Sequence, residues 1–335
     1  MKQYNVAVVG AGVVGKTILE ILEERKFPVK SLKLLATSRS AGRRMQFRGE
    51  EYTIEETTPQ SFSGVDLAFF AGGGASKLFA HEAVQQGAVV IDNSSAFRLD
   101  PAVPLIVPEV NPEDIKNHRG IIANPNCSTI QMVVALKPLD DAAGLKRVVV
   151  STYQSVSGAG QEAMDELLQQ TKELAEGLEP SPQAFPYVIA YNLIPHIDVF
   201  LENGYTREEM KMVHETRKMF HNEELAISAT TVRVPVLRSH SEALNVETKR
   251  KITAEKAREI WAKAPGIKVV DDPKNLLYPM PLLASYQDEV LVGRIREDIS
   301  CENGLCFFLV ADQLRKGAAT NAVQIAELLL KYNLL

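Results

Sequence analysis

Cysteine is scarce in this chain. Cys127, Cys301 and Cys306 are the three present in 335 residues, an odd count that cannot build a disulfide framework. Free thiols suit a reducing compartment, so a cytoplasmic protein is expected. Long apolar runs are missing too: no stretch approaches the roughly 18 consecutive apolar residues of a membrane helix. The opening MKQYNVAVVG reaches a glycine turn where a signal peptide would continue its apolar core. Nor is there an excess of positive charge. Lys and Arg total 37 against 42 for Asp and Glu, a net charge of −5, which removes the electrostatic footprint of a nucleic-acid or anionic-membrane binder. A local basic site for a small anion remains compatible with that balance. No internal repeat or low-complexity tract interrupts the chain.

What is present suits folded domains. With 45% hydrophobic and 24% charged residues the chain lies near the globular average, and domains of roughly 100 to 200 residues make its length suit about two. Residues 4–9 form a short apolar run ending at Gly10, after which Val14, Ile18, Leu19 and Leu22 recur at helical spacing between residues 13 and 24. Further short apolar runs at 32–36, 65–71, 89–91 and 121–123, with a helical face over 76–86, predict a doubly wound, mostly parallel sheet. Beyond Cys127 the pattern changes to a helix over 129–139, a long strand over 147–156 and an amphipathic helix over 161–175. A Pro-rich polar excursion follows over 176–186. Thr206 and Glu209 make a capping box that opens a helix to about Phe220. Residues 227–237 and 243–248 read as antiparallel neighbours, and a closing helix spans 318–332.

Gly10-Ala11-Gly12-Val13-Val14-Gly15 stands between the first strand and the first helix, where missing side chains bring a pyrophosphate close to the helix N-terminus. A dinucleotide site is expected there. An NAD site usually carries an acid about 20 residues on to hold the ribose 2′-hydroxyl, whereas the second strand here ends in Thr37-Ser38-Arg39-Ser40. That basic, hydroxyl-rich end favours a 2′-phosphate, hence NADP, read by Arg39 and Ser38. Ala71-Gly72-Gly73-Gly74 follows another strand and would let backbone lie against the same cofactor.

Cys127 stands in Asn124-Pro125-Asn126-Cys127-Ser128-Thr129, at the first turn of a helix, a good place for a nucleophile. A free thiol with pKa near 8.5 is only about 3% ionised at pH 7, and a helix N-terminus or a nearby cation that lowers it to about 7 gains more than tenfold. Its acid/base partner would be His240, which ends the run from Arg233, with His81, His118, His196, His214 and His221 as competitors. None has metal-ligand spacing with a cysteine, so no metal is expected. Glu215 and Lys218, three apart on a helix, share a face and on their own read as a surface ion pair worth about 0.3 kcal/mol. Cys301 and Cys306 flank the turn Glu302-Asn303-Gly304 and read as structural.

With these motifs, the stretch from Ser151-Thr152-Tyr153-Gln154 to Gly158-Ala159-Gly160, and the run from Arg233 to Ser241, the chain resembles the aspartate-β-semialdehyde dehydrogenase family, most of all its Gram-positive bacterial type. The likeness runs nearly end to end. It includes Asp92-Asn93-Ser94-Ser95-Ala96-Phe97-Arg98, Val107-Pro108-Glu109-Val110-Asn111, Glu209-Met210-Lys211-Met212 and Gly317-Ala318-Ala319-Thr320-Asn321. Many members carry Thr where Gly12 stands and serines where Gly73 and Gly74 stand.

The resemblance implies a Rossmann-type domain over residues 1–126, completed by 312–335, and an α+β catalytic and dimerisation domain over 127–311, like that of glyceraldehyde-3-phosphate dehydrogenase. It implies a homodimer and NADP-dependent interconversion of aspartyl phosphate and aspartate semialdehyde through a cysteine thioester, in lysine, threonine, methionine and diaminopimelate biosynthesis. Cys127 would be the nucleophile, His240 the general acid/base and Gln154 the residue that orients the substrate. Arg233 would grip the substrate carboxylate, Glu215 its amino group, and Lys218, Arg98 and Asn126 the phosphate. Cofactor contacts are expected at Gly10, Gly12, Val13, Val14, Gly15, Ser38, Arg39, Ser40, Gly73, Gly158 and Asn321. Two other readings compete: the related reductase of N-acetyl-glutamyl phosphate, whose substrate amide has no need of Glu215, and a dinucleotide sensor without turnover.

Overall fold

The computed structural model describes residues 2–335. Strand β1 (Tyr4–Val9) leads to helix α1 (Val13–Glu24), then β2 (Val29–Ala36), a hairpin of β3 (Arg44–Phe47) and β4 (Glu50–Glu56), β5 (Leu67–Phe70), α2 (Gly73–Gln85), β6 (Val89–Asp92) and β7 (Ile121–Ala123). Helix α3 (Cys127–Ala143), β8 (Leu145–Gln154), α4 (Gln161–Ala175), α5 (Arg207–Phe220), β9 (Ala226–Arg233), β10 (His240–Thr248) and α6 (Ala254–Trp261) follow. The chain closes with β11 (Ile267–Val269), α7 (Pro281–Ala284), β12 (Val290–Glu297), β13 (Gly304–Ala311), one π-helical turn (Arg315–Ala319) and α8 (Thr320–Lys331).

Two compact units result: the chain up to Asn126 with Ala318–Leu335, and Cys127–Gly317. The C-terminal segment joins the first unit at Ala318, later than the 312 expected from sequence. Asp312 stays with the second unit because its buried carboxylate accepts from Arg238 Nε at 2.6 Å and from the Tyr286 N–H at 2.7 Å.

The sheet of the first unit has the order β3-β4-β2-β1-β5-β6-β7, parallel except for the β3–β4 edge hairpin. From β1 the chain winds through α1 to β2 on one side, and from β5 through α2 to β6 on the other. The winding therefore reverses between β1 and β5, the switch point at which open α/β sheets bind ligands. Ile18, Ile21 and Leu22 of α1 are fully buried against this sheet, each stabilising the fold by about 1.5–3 kcal/mol through removal from water. Val323, Ile325, Ala326 and Leu329 of α8 join the same core.

The second unit is built on a sheet of order β11-β12-β13-β10-β8-β9. Strands β9 and β10 are not the antiparallel neighbours expected from sequence, because β8 lies between them, parallel to β9 and antiparallel to β10. The long excursion through α4 and α5 gives the chain room to return parallel. The short link from β9 to β10 then crosses the end of β8, where the Val156 N–H donates to Val236 O at 2.9 Å and the Val234 N–H to Gln154 O at 3.0 Å. Helices α3, α5 and α6 cover one face of this sheet.

Sequence patterning leaves β3, β4, α6, β11, α7, β12 and β13 unassigned. The edge hairpin buries one side chain per strand, Phe47 and Ile54, too few for a period to show. Helix α3 extends to Ala143 through an internal Pro138, past the end expected at residue 139.

Candidate active site

The nucleotide turn fits the cofactor expected from sequence. Gly10 turns the chain out of β1 at φ +117°, a conformation that favours glycine. A Cβ on Gly15 would lie 1.8 Å from Gly10 O, whereas one on Gly12 would meet nothing within 4 Å. Gly15 thus closes the turn against α1 while Gly12 keeps an open backbone face at the helix N-terminus, where Val13 and Val14 begin α1 and no side chain caps the amides. That is a cradle for a pyrophosphate. Gly73 opens α2 at the end of β5, on the other side of the switch point. Ser38 and Arg39 are exposed and Ser40 is half-buried, in a turn at the end of β2, the strand beside β1.

Other predicted residues of the first unit are braced by their surroundings. Arg98 is buried and donates from Nε to Asn124 O at 2.9 Å and from Nη2 to Asn93 O at 2.8 Å. Asn321 is buried on α8 and donates from Nδ2 to Ile106 O at 2.9 Å and to Asn124 Oδ1 at 2.6 Å. Asn126, also buried, is the last residue before α3.

In the second unit the strand order gathers the expected catalytic residues. Gln154 ends β8, Arg233 ends β9 directly opposite it, and His240 begins β10 on the other side of β8. Cys127 is the first residue of α3 and is half-buried. Burial pulls the Arg233 guanidinium below its ordinary value, and the nearby Glu208 carboxylate and then Cys127, as the thiolate, partly offset that. Arg233 Nη1 donates to Ser155 O at 2.6 Å, which anchors it at the end of the sheet. The backbone of Gly158 closes the group: a Cβ there would lie 3.1 Å from Arg233 Nη1, His240 Cε1 and His240 Nε2 alike. Gly158, expected among the cofactor contacts, is thus placed against the imidazole and the guanidinium.

The environment of His240 fixes what the ring can do. The Ser155 N–H donates to His240 Nδ1 at 3.0 Å, and the Ser155 hydroxyl lies 3.0 Å from the same nitrogen. A main-chain N–H only donates, so Nδ1 is unprotonated and the neutral ring carries its proton on Nε2. Ser155 Oγ also meets Ser157 Oγ at 3.1 Å, and Ser157 Oγ accepts from Gln313 Nε2, which locks the ring's support from behind. His240 Nε2 is buried without a hydrogen-bond partner among the described residues. Burial, then the neighbouring Arg233 charge, hold the imidazole well below its ordinary value. The ring is therefore a neutral donor aimed at the space beside Gly158.

Gln154 accepts from Thr152 Oγ1 at 3.0 Å and donates to Glu208 Oε1 at 3.2 Å. Buried Glu208 also receives Lys211 Nζ at 3.0 Å. Sequence reasoning missed Glu208. Only its place one turn before Lys211 on the capped helix could have singled it out. The capping box that opens α5 is present, with the Glu209 N–H 3.2 Å from Thr206 Oγ1, and Glu209 Oε1 also accepts from the Thr231 N–H at 2.9 Å, which ties α5 to β9. Glu215 is buried and Lys218 half-buried on that helix, so the reading as a surface ion pair does not hold. No group of His, Cys, Asp and Glu among the described residues could hold a metal ion.

Comparison with known proteins shows the family of the chain. Residues 5–118 match the family model described as semialdehyde dehydrogenase, NAD binding domain, and residues 136–316 match semialdehyde dehydrogenase, dimerisation domain. The chain is 58% identical to the aspartate-semialdehyde dehydrogenase of Aquifex aeolicus, over 99% of each chain, and 51% identical to that of Bacillus subtilis, over 98% of each. Its structure is similar, at a TM-score of 0.96 and 48% identity over 99% of each chain, to the crystal structure of aspartate semialdehyde dehydrogenase II of Vibrio cholerae complexed with ASA.

Proposed function

The chain belongs to the aspartate-semialdehyde dehydrogenase family, and from that premise we propose that it interconverts L-aspartate 4-semialdehyde and L-4-aspartyl phosphate, using NADP, as a cytoplasmic enzyme of amino-acid biosynthesis. The observation that carries the reading is the meeting of Arg233 and His240 at the bare backbone of Gly158, with Cys127 near enough for its charge to act on Arg233.

In the phosphorylating direction the Cys127 thiolate attacks the aldehyde carbon, and the carbonyl pair moves to oxygen. His240 Nε2–H donates to that oxygen as it becomes negative, the stage at which a preorganised donor is worth most. Arg233 is assigned to the substrate carboxylate, whose planar geometry its guanidinium fits in a fork. Gln154, held between Thr152 and Glu208, orients the substrate. Glu215 is assigned to the substrate ammonium and Lys218 to the phosphoryl group, with Arg98 and Asn126 retained as further phosphate candidates on the resemblance. The Gly10–Gly15 turn would hold NADP, with Arg39 assigned to its 2′-phosphate, and the cofactor would accept the hydride that leaves the carbon bonded to Cys127. The thioester then left on Cys127 is cleaved by inorganic phosphate, which restores the thiolate. Splitting one hard step in two is what a covalent sulfur intermediate achieves.

The family model for residues 136–316 names dimerisation, and we assign pairing to the sheet face that α3, α5 and α6 leave uncovered. There Val149, Ser151, Asn245 and Phe308 are half-buried and Tyr153 is exposed. No helix among the described residues is long and apolar enough to cross a membrane.

The test is phosphate-dependent formation of NADPH from aspartate semialdehyde by the purified protein. Absence of that signal would remove the reading. Cys127→Ala is expected to abolish turnover while NADP binding, followed by fluorescence titration, stays within about twofold; loss of binding as well would make the thiol structural.

A further inference from the structure

Beneath the reacting groups lies a polar pair that the mechanism does not use. Gln131 follows Cys127 by four residues on α3, so the two share a helix face. Its neighbours on the buried side, Ile130, Val133 and Val134, are apolar. Gln131 Nε2 donates to Glu242 Oε1 at 2.8 Å and to the main-chain oxygen of His240 at 3.3 Å, and Gln131, Glu242 and His240 are all fully buried. One amide thus joins the helix that begins at Cys127 to the strand that begins at His240.

Stability alone gives no account of the pair. Gln131 Oε1 and Glu242 Oε2 have no hydrogen-bond partner among the described residues, and a buried polar atom left unpaired costs free energy. Burial also pushes the Glu242 carboxyl well above its ordinary value, with the Gln131 hydrogen bond only partly offsetting that. Two leucines would fill the same space without those penalties. Apolar contact, however, is non-directional. It presses α3 onto the sheet but leaves the helix free to slide by fractions of an ångström. Two hydrogen bonds from one amide, one of them to the carbonyl of the histidine itself, fix that position.

We propose that Gln131 and Glu242 are positioning residues, a clamp that holds the first turn of the cysteine helix in register with the start of the histidine strand. The proposal rests on the assignment of Cys127 and His240 to the reaction, and part of its test is independent of that assignment. Gln131→Leu and Glu242→Leu are to be compared with Glu242→Gln, which keeps an acceptor for the Gln131 amide. The leucine variants are expected to melt at or above the wild-type temperature, to lose at least about tenfold in kcat with KM within about twofold, and to show a displaced pH profile for alkylation of Cys127 by iodoacetamide. Glu242→Gln is expected to recover most of the kcat. Unchanged kcat in folded leucine variants would overturn the clamp. So would an unmoved alkylation profile, or a fall in kcat that follows only a fall in melting temperature. Should a leucine variant fail to fold, Gln131→Met and Glu242→Gln carry the same comparison. The alkylation profile reads the thiol directly, so a wild type inactive toward aspartate semialdehyde but clamped in this way would overturn the assigned reaction and leave the clamp standing.

Discussion

Gly158 carries no side chain, and the space it leaves is bounded on two sides by the groups expected to touch substrate. A methyl there would sit 3.1 Å from His240 Nε2 and Arg233 Nη1, tighter than ordinary contact, at a place where neither neighbour gives easily because Ser155 holds both. Gly158→Ala is expected to fold normally and to lose at least about tenfold in kcat/KM, since small displacements of reacting groups are costly. Steady-state kinetics beside a melting curve decides it; wild-type kinetics would show that the space is not used. At this scale the sequence was informative where a residue type is chemically unusual. Cys127 at the first turn of a helix and the histidine that closes the stretch holding Arg233 and Arg238 stood out as candidates for chemistry. Glu208 was not, since a glutamate in the first turn of a helix ordinarily faces water, and only its hydrogen bonds to Gln154 and Lys211 give it a place in the site.

Elements place these residues, and the β1–α1 turn shows how narrowly. Gly15 lies against Gly10 O so closely that a Cβ at 1.8 Å cannot be accommodated by side-chain adjustment, because the obstacle is backbone. Gly15→Ala is expected to cost about 1–3 kcal/mol of stability and to weaken NADP binding at the same time, whereas open Gly12 tolerates Ala without loss of stability. Thermal melts of both variants with a cofactor titration test this; equal stability of the two would sink it. The strand–turn–helix unit and the capped α5 were readable because period and cap lie within a dozen residues. The pairing of β8 with both β9 and β10 was not. Neighbouring runs in sequence suggested a hairpin, and nothing local announces that a link of a few residues will cross the end of a third strand.

For the whole molecule, buried titratable groups tie stability to pH. His240 is held well below its ordinary value in the fold, while in the unfolded chain it returns to about 6.5. The unfolded chain therefore takes up the proton first, so the stability this group contributes is present above about pH 6.5 and lost as pH falls below it. Glu242, held above its ordinary value by burial, acts in the opposite sense and loses its contribution as pH rises through its folded pKa. Between about pH 7 and pH 5 the wild-type melting temperature is expected to fall more steeply than that of His240→Asn, and parallel curves would contradict this. By itself the sequence determined the α/β class, the strand–glycine turn–helix unit and the family, because each of these is written in short-range spacing or in an ordered set of motifs. The tertiary structure alone decided which strand separates β9 from β10, that His240 offers a proton rather than a lone pair, and that Gln131 reaches across to Glu242. Those facts depend on groups far apart in the chain, 109 and 111 residues for the two hydrogen bonds of Gln131, or on a main-chain N–H whose direction no residue type specifies.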